Sequence, residues 1–243
     1  MTMLSGFIGV PSIDGAYWSL FVEIRFYALV AIVLVIRRIH QAQVFIFIWL
    51  TLSVALEIHP VYKLRYFFIT DYSAYFIAGA TYFLIWSKGP SLIRIIIITI
   101  SWWLAMFQAT NGLQGFEKHY GTSMNTYAVA GIITIFFAVM MLVSLRRTGI
   151  FGRTHWLLVG SLTYPLYLLH QNIGFMVFNV AYPTINAHIL FWGTIVAALI
   201  FAYAVHFFIE RRLSSPLKAS LNTFADHIQR LTMRSSGRAE TRR

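Results

Sequence analysis

The sequence contains no cysteine, so neither disulfides nor thiolate chemistry is open to it. Charge is scarce as well. Asp, Glu, Lys and Arg make up 11% of the 243 residues, far less than a water-soluble domain of this length carries on its surface. Only 8 residues are acidic against 19 basic ones, which confines carboxylate chemistry to a few positions. Glycine-rich phosphate loops and the G-x-S-x-G nucleophile turn are missing. Met1–Gly15 has neither the basic start nor the apolar centre of a cleavable signal. No His, Asp and Glu fall at metal-ligand spacing within one element, so no metal site is expected. The net charge of +11 invites nucleic acid as a partner, but no basic stripe with interleaved aromatics occurs outside the apolar runs, which argues against it.

What is present is apolar: 58% hydrophobic residues, 17% aromatic, and a mean hydropathy of +0.69. That composition belongs to an integral membrane protein whose main partner is lipid. Apolar windows at about 17–36, 43–58, 64–86, 92–109, 126–145, 156–178 and 187–209 predict an all-α bundle of about seven transmembrane helices. The 43–58 window is short enough to be tilted or partly re-entrant. Pro60, Pro90, Gly149, Gly152 and Pro183 punctuate the breaks, and ATNGLQGFEKHYGTSMN reads as a longer polar loop. Residues 1–213 then form one transmembrane domain. From Ser214 the chain turns polar and ends MRSSGRAETRR, which reads as a disordered cytoplasmic tail over 214–243. Arg37, Arg38, Lys88, Arg94, Arg146, Arg147, Arg211, Arg212 and the tail arginines fall on one set of connections, and only Lys63, Arg65 and Lys118 on the other. By the positive-inside rule the carboxyl terminus is cytoplasmic, and seven spans put the amino terminus outside. Trp102-Trp103, Phe136-Phe137 and Met140-Met141 read as packing or lipid-facing residues, and Tyr17, Trp18, Trp86 and Trp156 as interfacial belts.

Against this background the first span is unusual. SIDGAYWSLFVEIRFYALVAIVLVIR carries Glu23 and Arg25 at membrane depth, where a charge costs several kcal/mol unless paired or wetted. Ser19, Glu23 and Tyr27 share one helical face; Trp18 and Arg25 share another. A second polar face recurs in GSLTYPLYLLH, where Thr163, Tyr167 and His170 follow at steps of four and three, with Pro165 freeing a backbone carbonyl. Counting from the outer ends puts Glu23 about 9 Å and His170 about 12 Å deep, with Asp71 at a similar level. Glu23, Arg25, Asp71 and His170 are therefore expected to line one polar cavity in the outer half. A structural ion pair of Arg25 with Glu23 or Asp71, and an interhelical hydrogen bond for His170, are the alternatives. Glu210, four residues after His206, can anchor its helix end by pairing with His206 or nearby arginines.

Trp18-Ser19-Leu20-Phe21-Val22-Glu23 followed by Phe26-Tyr27 resembles the W-S-L-x-x-E…F-Y signature of the membrane acyltransferase 3 family. The run Gly160–His170 resembles the family's late G-x-x-S-Y-x-x-Y-L-x-H motif, with Thr163 in place of the serine. His206–Leu217 resembles its terminal run. Ile24 and Arg25 stand where family members often have a second glutamate and a glutamine. The resemblance implies an O-acetylase of the lipopolysaccharide, peptidoglycan or exopolysaccharide type in a bacterial inner membrane. It would move an acyl group from acyl-CoA, entering from the cytoplasm, to a hydroxyl of a surface glycan. Ester formation needs a base for the hydroxyl and a donor for the tetrahedral oxyanion. Glu23 and His170 are the expected proton-handling residues, with Arg25 stabilising charge. Trp18, Ser19, Tyr27, Asp71, Tyr164 and Tyr167 are expected at the acceptor. Arg146, Arg147 and Arg211, in an inner basic cluster with Arg153 and His155, would meet the phosphates of the donor. The family resembles ten-helix proteins whose first three helices carry an Arg/Lys-x10-His motif, and this chain matches the part after it. Weak or no activity is therefore expected unless a separate chain supplies those helices. A transporter or channel-like protein, or a non-catalytic membrane partner, is the alternative class.

Overall fold

The computed structural model describes residues 17–149, 156–216, 218–220 and 222–223. Helices dominate them: α1 Tyr17–Val35, α2 Ala42–Ile58, the short α3 Tyr62–Phe67, α4 Thr70–Lys88, α5 Leu92–Tyr120, α6 Thr126–Ser144, α7 Leu157–Ala181 and α8 Ala187–Val205. The fold is all-α, with no strand among the described residues and seven helices of 17 residues or more. Four stretches, Ile39–Ile58, Leu92–Lys118, Thr126–Ser144 and Ala187–Ser220, are long and apolar enough to cross a membrane. Two compact units divide the chain, the first from Trp18 and the second from Trp156.

Two expectations about boundaries change. The window at 64–86 is not one helix: it breaks at Ile69, which is buried and holds a left-handed backbone, φ +54°. A β-branched residue rarely adopts that conformation, so the surroundings must hold it there. The break strands the Phe68 carbonyl, and the Trp49 indole N–H donates to it at 2.8 Å. The polar stretch after residue 109 is not a loop either. α5 continues through it to Tyr120, because it contains no proline and its polar side chains tolerate a helix in water. At 29 residues α5 is about 44 Å long, well beyond the roughly 30 Å of hydrocarbon. It stops at Gly121, φ +66°, whose N–H caps the Glu117 carbonyl at 2.8 Å. Asn125 then opens α6 by accepting from the backbone N–H groups of Tyr127 and Ala128.

The core of the first unit forms around α4, between α2, α5 and α6. Its inward face is small (Ser73, Ala74, Ala78 and Thr81, all essentially buried), so neighbouring backbones approach closely, as helices do where lipid supplies no hydrophobic drive. Leu50, Ile77, Ile85, Ile97 and Leu104 fill the space between. Hydroxyls in this apolar interior bond to their own helix: Ser53 to the Trp49 carbonyl at 2.8 Å and Thr81 to that of Ile77 at 2.7 Å. Tyr82 reaches another helix, its hydroxyl donating to the Phe137 carbonyl at 2.8 Å. Outward faces are greasy throughout, from Val35 and Phe83 to Phe136, which suits lipid and would aggregate in water. α1 is held more loosely, through Phe26, whose ring stacks on Phe76 at 4.6 Å and on Trp49 at 6.1 Å.

In the second unit α7 packs along α8, with Pro165 buried inside α7. An apolar groove of about 560 Å³ runs between them, lined by residues such as Leu169, Val177, Gly193 and Phe201. α8 passes into a π-helical turn, His206–Glu210, and helical backbone continues over 211–216 and 218–220. The polar region expected from Ser214 therefore begins as helix; 224–243 lies outside the described residues.

Candidate active site

The helical spacing of α1 sends its two charges to different surroundings. Arg25 lies against the unit: its guanidinium carbon sits 4.5 Å from the Phe21 ring centre and 4.4 Å from that of Tyr66. One N–H donates to the Tyr66 carbonyl, while Nε is buried without a partner among the described residues. Arg25 thus fastens α1 to α3 through two aromatic faces and a carbonyl. Glu23, two residues earlier, is exposed and has no ion pair or hydrogen bond among the described residues. Tyr27, one turn on, is 62% exposed, and Ser19, one turn before, is half-buried. The Ser19–Glu23–Tyr27 face expected from spacing exists, and its own unit leaves the carboxylate uncovered. The side chain of Trp18 lies outside the described residues.

Asp71 is ion-paired, but with a different partner from the one named in the alternative reading. The sequence offered Arg25; the structure gives Arg65, whose Nη2 lies 2.5 Å from Asp71 Oδ1 and whose Nη1 lies 3.3 Å from Glu57 Oε2. The ion pair of Arg25 with Glu23 does not form either. Arg65, on the connecting segment between spans, holds its proton more tightly than usual. Burial opposes the charge, but the Asp71 hydrogen bond and the charges of Asp71 and Glu57 outweigh it. Gln108 on α5 joins the network, its amide donating to Glu57 Oε2 at 3.2 Å and to the Thr70 carbonyl at 3.0 Å. Glu57, Arg65 and Gln108 were not singled out by sequence. Their partners lie 6 to 51 positions away, and a helical periodicity has no memory of that.

In the second unit His170 is exposed on α7, and Tyr167, half-buried, places its ring 6.0 Å from the imidazole. His170 Nδ1 lies 2.9 Å from the Tyr167 carbonyl and 3.1 Å from that of Leu166. Carbonyls only accept, so Nδ1 must carry the proton. In the neutral ring Nε2 then holds the lone pair, directed away from its own helix. That is the tautomer a general base needs. Tyr164 is 44% exposed one turn before Leu168. His206 Nδ1 meets the Glu210 carboxylate at 2.9 Å, the pairing open to Glu210 from its spacing.

At the other end of the first unit the termini of α2, α4, α5 and α6 meet. Arg94 donates through Nε to Gln43 at 3.0 Å, and Arg146 lies 5.0 Å over the Trp86 ring while donating to the Trp86 carbonyl at 3.3 Å. Arg147 is exposed beside it. Arg211, in the second unit, is exposed and lies 5.8 Å over the Phe207 ring. Arg153 and His155 lie outside the described residues. No group of three metal-ligating side chains occurs among the described residues.

A family model described as "Acyltransferase domain" matches residues 2–211. No curated protein and no solved structure matches.

Proposed function

We propose, from the premise that this chain belongs to the membrane acyltransferase 3 family, that it moves an acyl group, most simply acetyl, from acyl-CoA to a hydroxyl of a cell-surface glycan. Membership makes it an integral membrane acyltransferase; donor, acceptor and residue roles are this proposal's own. The observation that carries it is the unspent polar chemistry within greasy helices: a bare carboxylate at Glu23 and an outward Nε2 at His170. A charge left uncovered at membrane depth is costly, and function is the usual reason for it.

In the reaction, a base takes the proton of the acceptor hydroxyl as its oxygen attacks the thioester carbonyl. The tetrahedral oxyanion collapses with loss of the CoA thiolate, which takes up a proton, giving an ester and free CoA. His170 Nε2 is the base in this reading, kept in the right tautomer by the carbonyls of Leu166 and Tyr167. Glu23 handles or orients the proton, with Ser19 and Tyr27 on its face and Tyr164 and Tyr167 near His170 contacting the acceptor. Arg25 acts structurally in this reading, holding α3 against α1 through Tyr66. The basic connections face the cytoplasm by the positive-inside rule, and Arg146 and Arg147 of the first unit, with Arg211 of the second as a separate candidate, are the residues offered for the donor's phosphates. A bacterial inner membrane is the setting that supplies both acyl-CoA and an exported glycan. The test is transfer from radiolabelled acetyl-CoA to oligosaccharide acceptors in lipid nanodiscs, by the purified chain assembled with a separate chain that carries the Arg/Lys-x10-His helices. Labelled ester that is lost in His170→Gln supports the proposal; label moving across sealed vesicles with no ester formed contradicts it.

A further inference from the structure

Charge is sorted between the two ends of the first unit. Among its described residues the four carboxylates lie toward one end: Glu57, Asp71 and Glu117 close to the helix ends there, and Glu23 within the first two turns of α1. At the opposite helix ends and connections stand six cations, Arg37, Arg38, Lys88, Arg94, Arg146 and Arg147, with no acidic residue among them. Two of the six are engaged by the fold, Arg94 by Gln43 and Arg146 by Trp86. The guanidinium groups of Arg37 and Arg147 are exposed and have no ion pair or hydrogen bond among the described residues. That of Arg38 makes one long bond, 3.4 Å, to Gln41.

The backbone repeats one device at two of these places. At the end of α1 the N–H of Arg37 donates to the Leu34 carbonyl at 2.9 Å, and that of Arg38 to Val33 at 3.1 Å. At the end of α6 the N–H of Arg146 donates to Val143 at 3.0 Å, and that of Arg147 to Leu142 at 2.9 Å. Both are the paired cap that glycine usually closes, because its closing residue is left-handed. Here that residue is arginine each time, with φ +55° at Arg37 and +57° at Arg146. Among the described residues the other non-glycine residue with positive φ is Ile69. Glycine would close either corner with less strain, so each corner sacrifices stability to keep a guanidinium there.

The missing counter-charge must come from outside the chain. The positive-inside rule puts these corners at the cytoplasmic leaflet, level with the phosphates of its lipids. A guanidinium grips phosphate oxygens in pairs. Exposed apolar side chains flank each corner, Ile36 and Ile39 at one and Leu142 and Val143 at the other. Arginine beside exposed hydrocarbon matches a molecule that carries phosphate on acyl chains, which a soluble anion does not. We infer that this end of the first unit docks anionic phospholipid, with the Arg37–Arg38 and Arg146–Arg147 corners each holding a headgroup phosphate. Arg37 and Arg38 have no part in the donor reading above, so the inference stands or falls apart from it.

The test titrates the full chain, in an uncharged detergent, with fluorescent cardiolipin and with phosphatidylcholine as control. Cardiolipin is expected to bind about tenfold more tightly or better. Arg37→Gln and Arg37→Gly should each weaken it about fivefold, the usual worth of one basic residue beside an anionic surface. Their stabilities should differ: Arg37→Gly, which relieves the left-handed residue, melts about 1–4 °C higher than the wild type, and Arg37→Gln melts with it. An arginine that only offsets the carbonyl end of its own helix predicts the reverse, a lower melting temperature for both variants with cardiolipin affinity unchanged. Lys63→Gln, at the other end of the unit, should bind as the wild type does. Equal binding of the two lipids, wild-type affinity in the double variant Arg37→Gln, Arg38→Gln, or displacement of cardiolipin by an equal concentration of inorganic phosphate overturns the inference.

Discussion

The two faces of α1 treat charge in opposite ways. On one, Arg25 is packed into the fold, its guanidinium against the Phe21 and Tyr66 rings and one N–H bonded to a carbonyl, with only Nε left without a partner among the described residues. On the other, two residues away, Glu23 is exposed and has no ion pair or hydrogen bond among the described residues. Both side chains sit on the same apolar helix, so depth alone does not decide their roles. What decides is whether the neighbours satisfy the group. A satisfied charge contributes to holding helices; an unsatisfied one at membrane depth is available for chemistry. The same contrast separates Arg65, saturated by two carboxylates, from His170, whose Nδ1 is bonded to its own helix and whose Nε2 has no partner among the described residues.

The sharpest way to break this comparison is to exchange the proton-handling groups. His170→Gln and Glu23→Gln are each expected to lower acyl transfer by about 10²–10⁴-fold, the usual worth of a positioned acid or base, with unfolding temperature unchanged. Rates near wild type in both would place Glu23 among ordinary exposed side chains. Next, Arg25→Ala is expected to destabilise the chain by about 1–2 kcal/mol through loss of the aromatic sandwich and the carbonyl bond, read as a lower melting temperature in detergent. Arg25→Lys should recover only part, because ammonium does not stack as guanidinium does. A smaller effect is expected at the basic end: the double variant Arg146→Ala, Arg147→Ala should raise the KM for acetyl-CoA roughly tenfold, about 1.4 kcal/mol, and weaken its salt dependence. Smallest is Tyr82→Phe, which deletes one buried hydrogen bond and should cost about 1 kcal/mol of stability without altering transfer.

Much of this was legible in the sequence for a physical reason. Lipid makes apolarity continuous along a span, so windows of hydropathy locate helices, and a polar side chain inside one is conspicuous. The Ser19–Glu23–Tyr27 face and the His206–Glu210 pair followed from spacing alone. The break at Ile69 did not: YFFITDY is apolar on both sides, and the left-handed residue is an isoleucine that tertiary packing holds in place. Nor did the extension of α5 to Tyr120, since polarity marks where a helix leaves lipid and not where it ends. The pairing of Asp71 with Arg65 was not legible either: depth compares spans helix by helix, whereas this cation comes from the connecting segment, on α3.

The most direct test of the contrast on α1 is the acyl-transfer rate per folded molecule for Glu23→Gln and Arg25→Ala, measured side by side with labelled acetyl-CoA. The account predicts a near-silent Glu23→Gln that melts like the wild type, and an Arg25→Ala that melts earlier yet transfers at a rate within a few-fold of it. A fully active Glu23→Gln would contradict it.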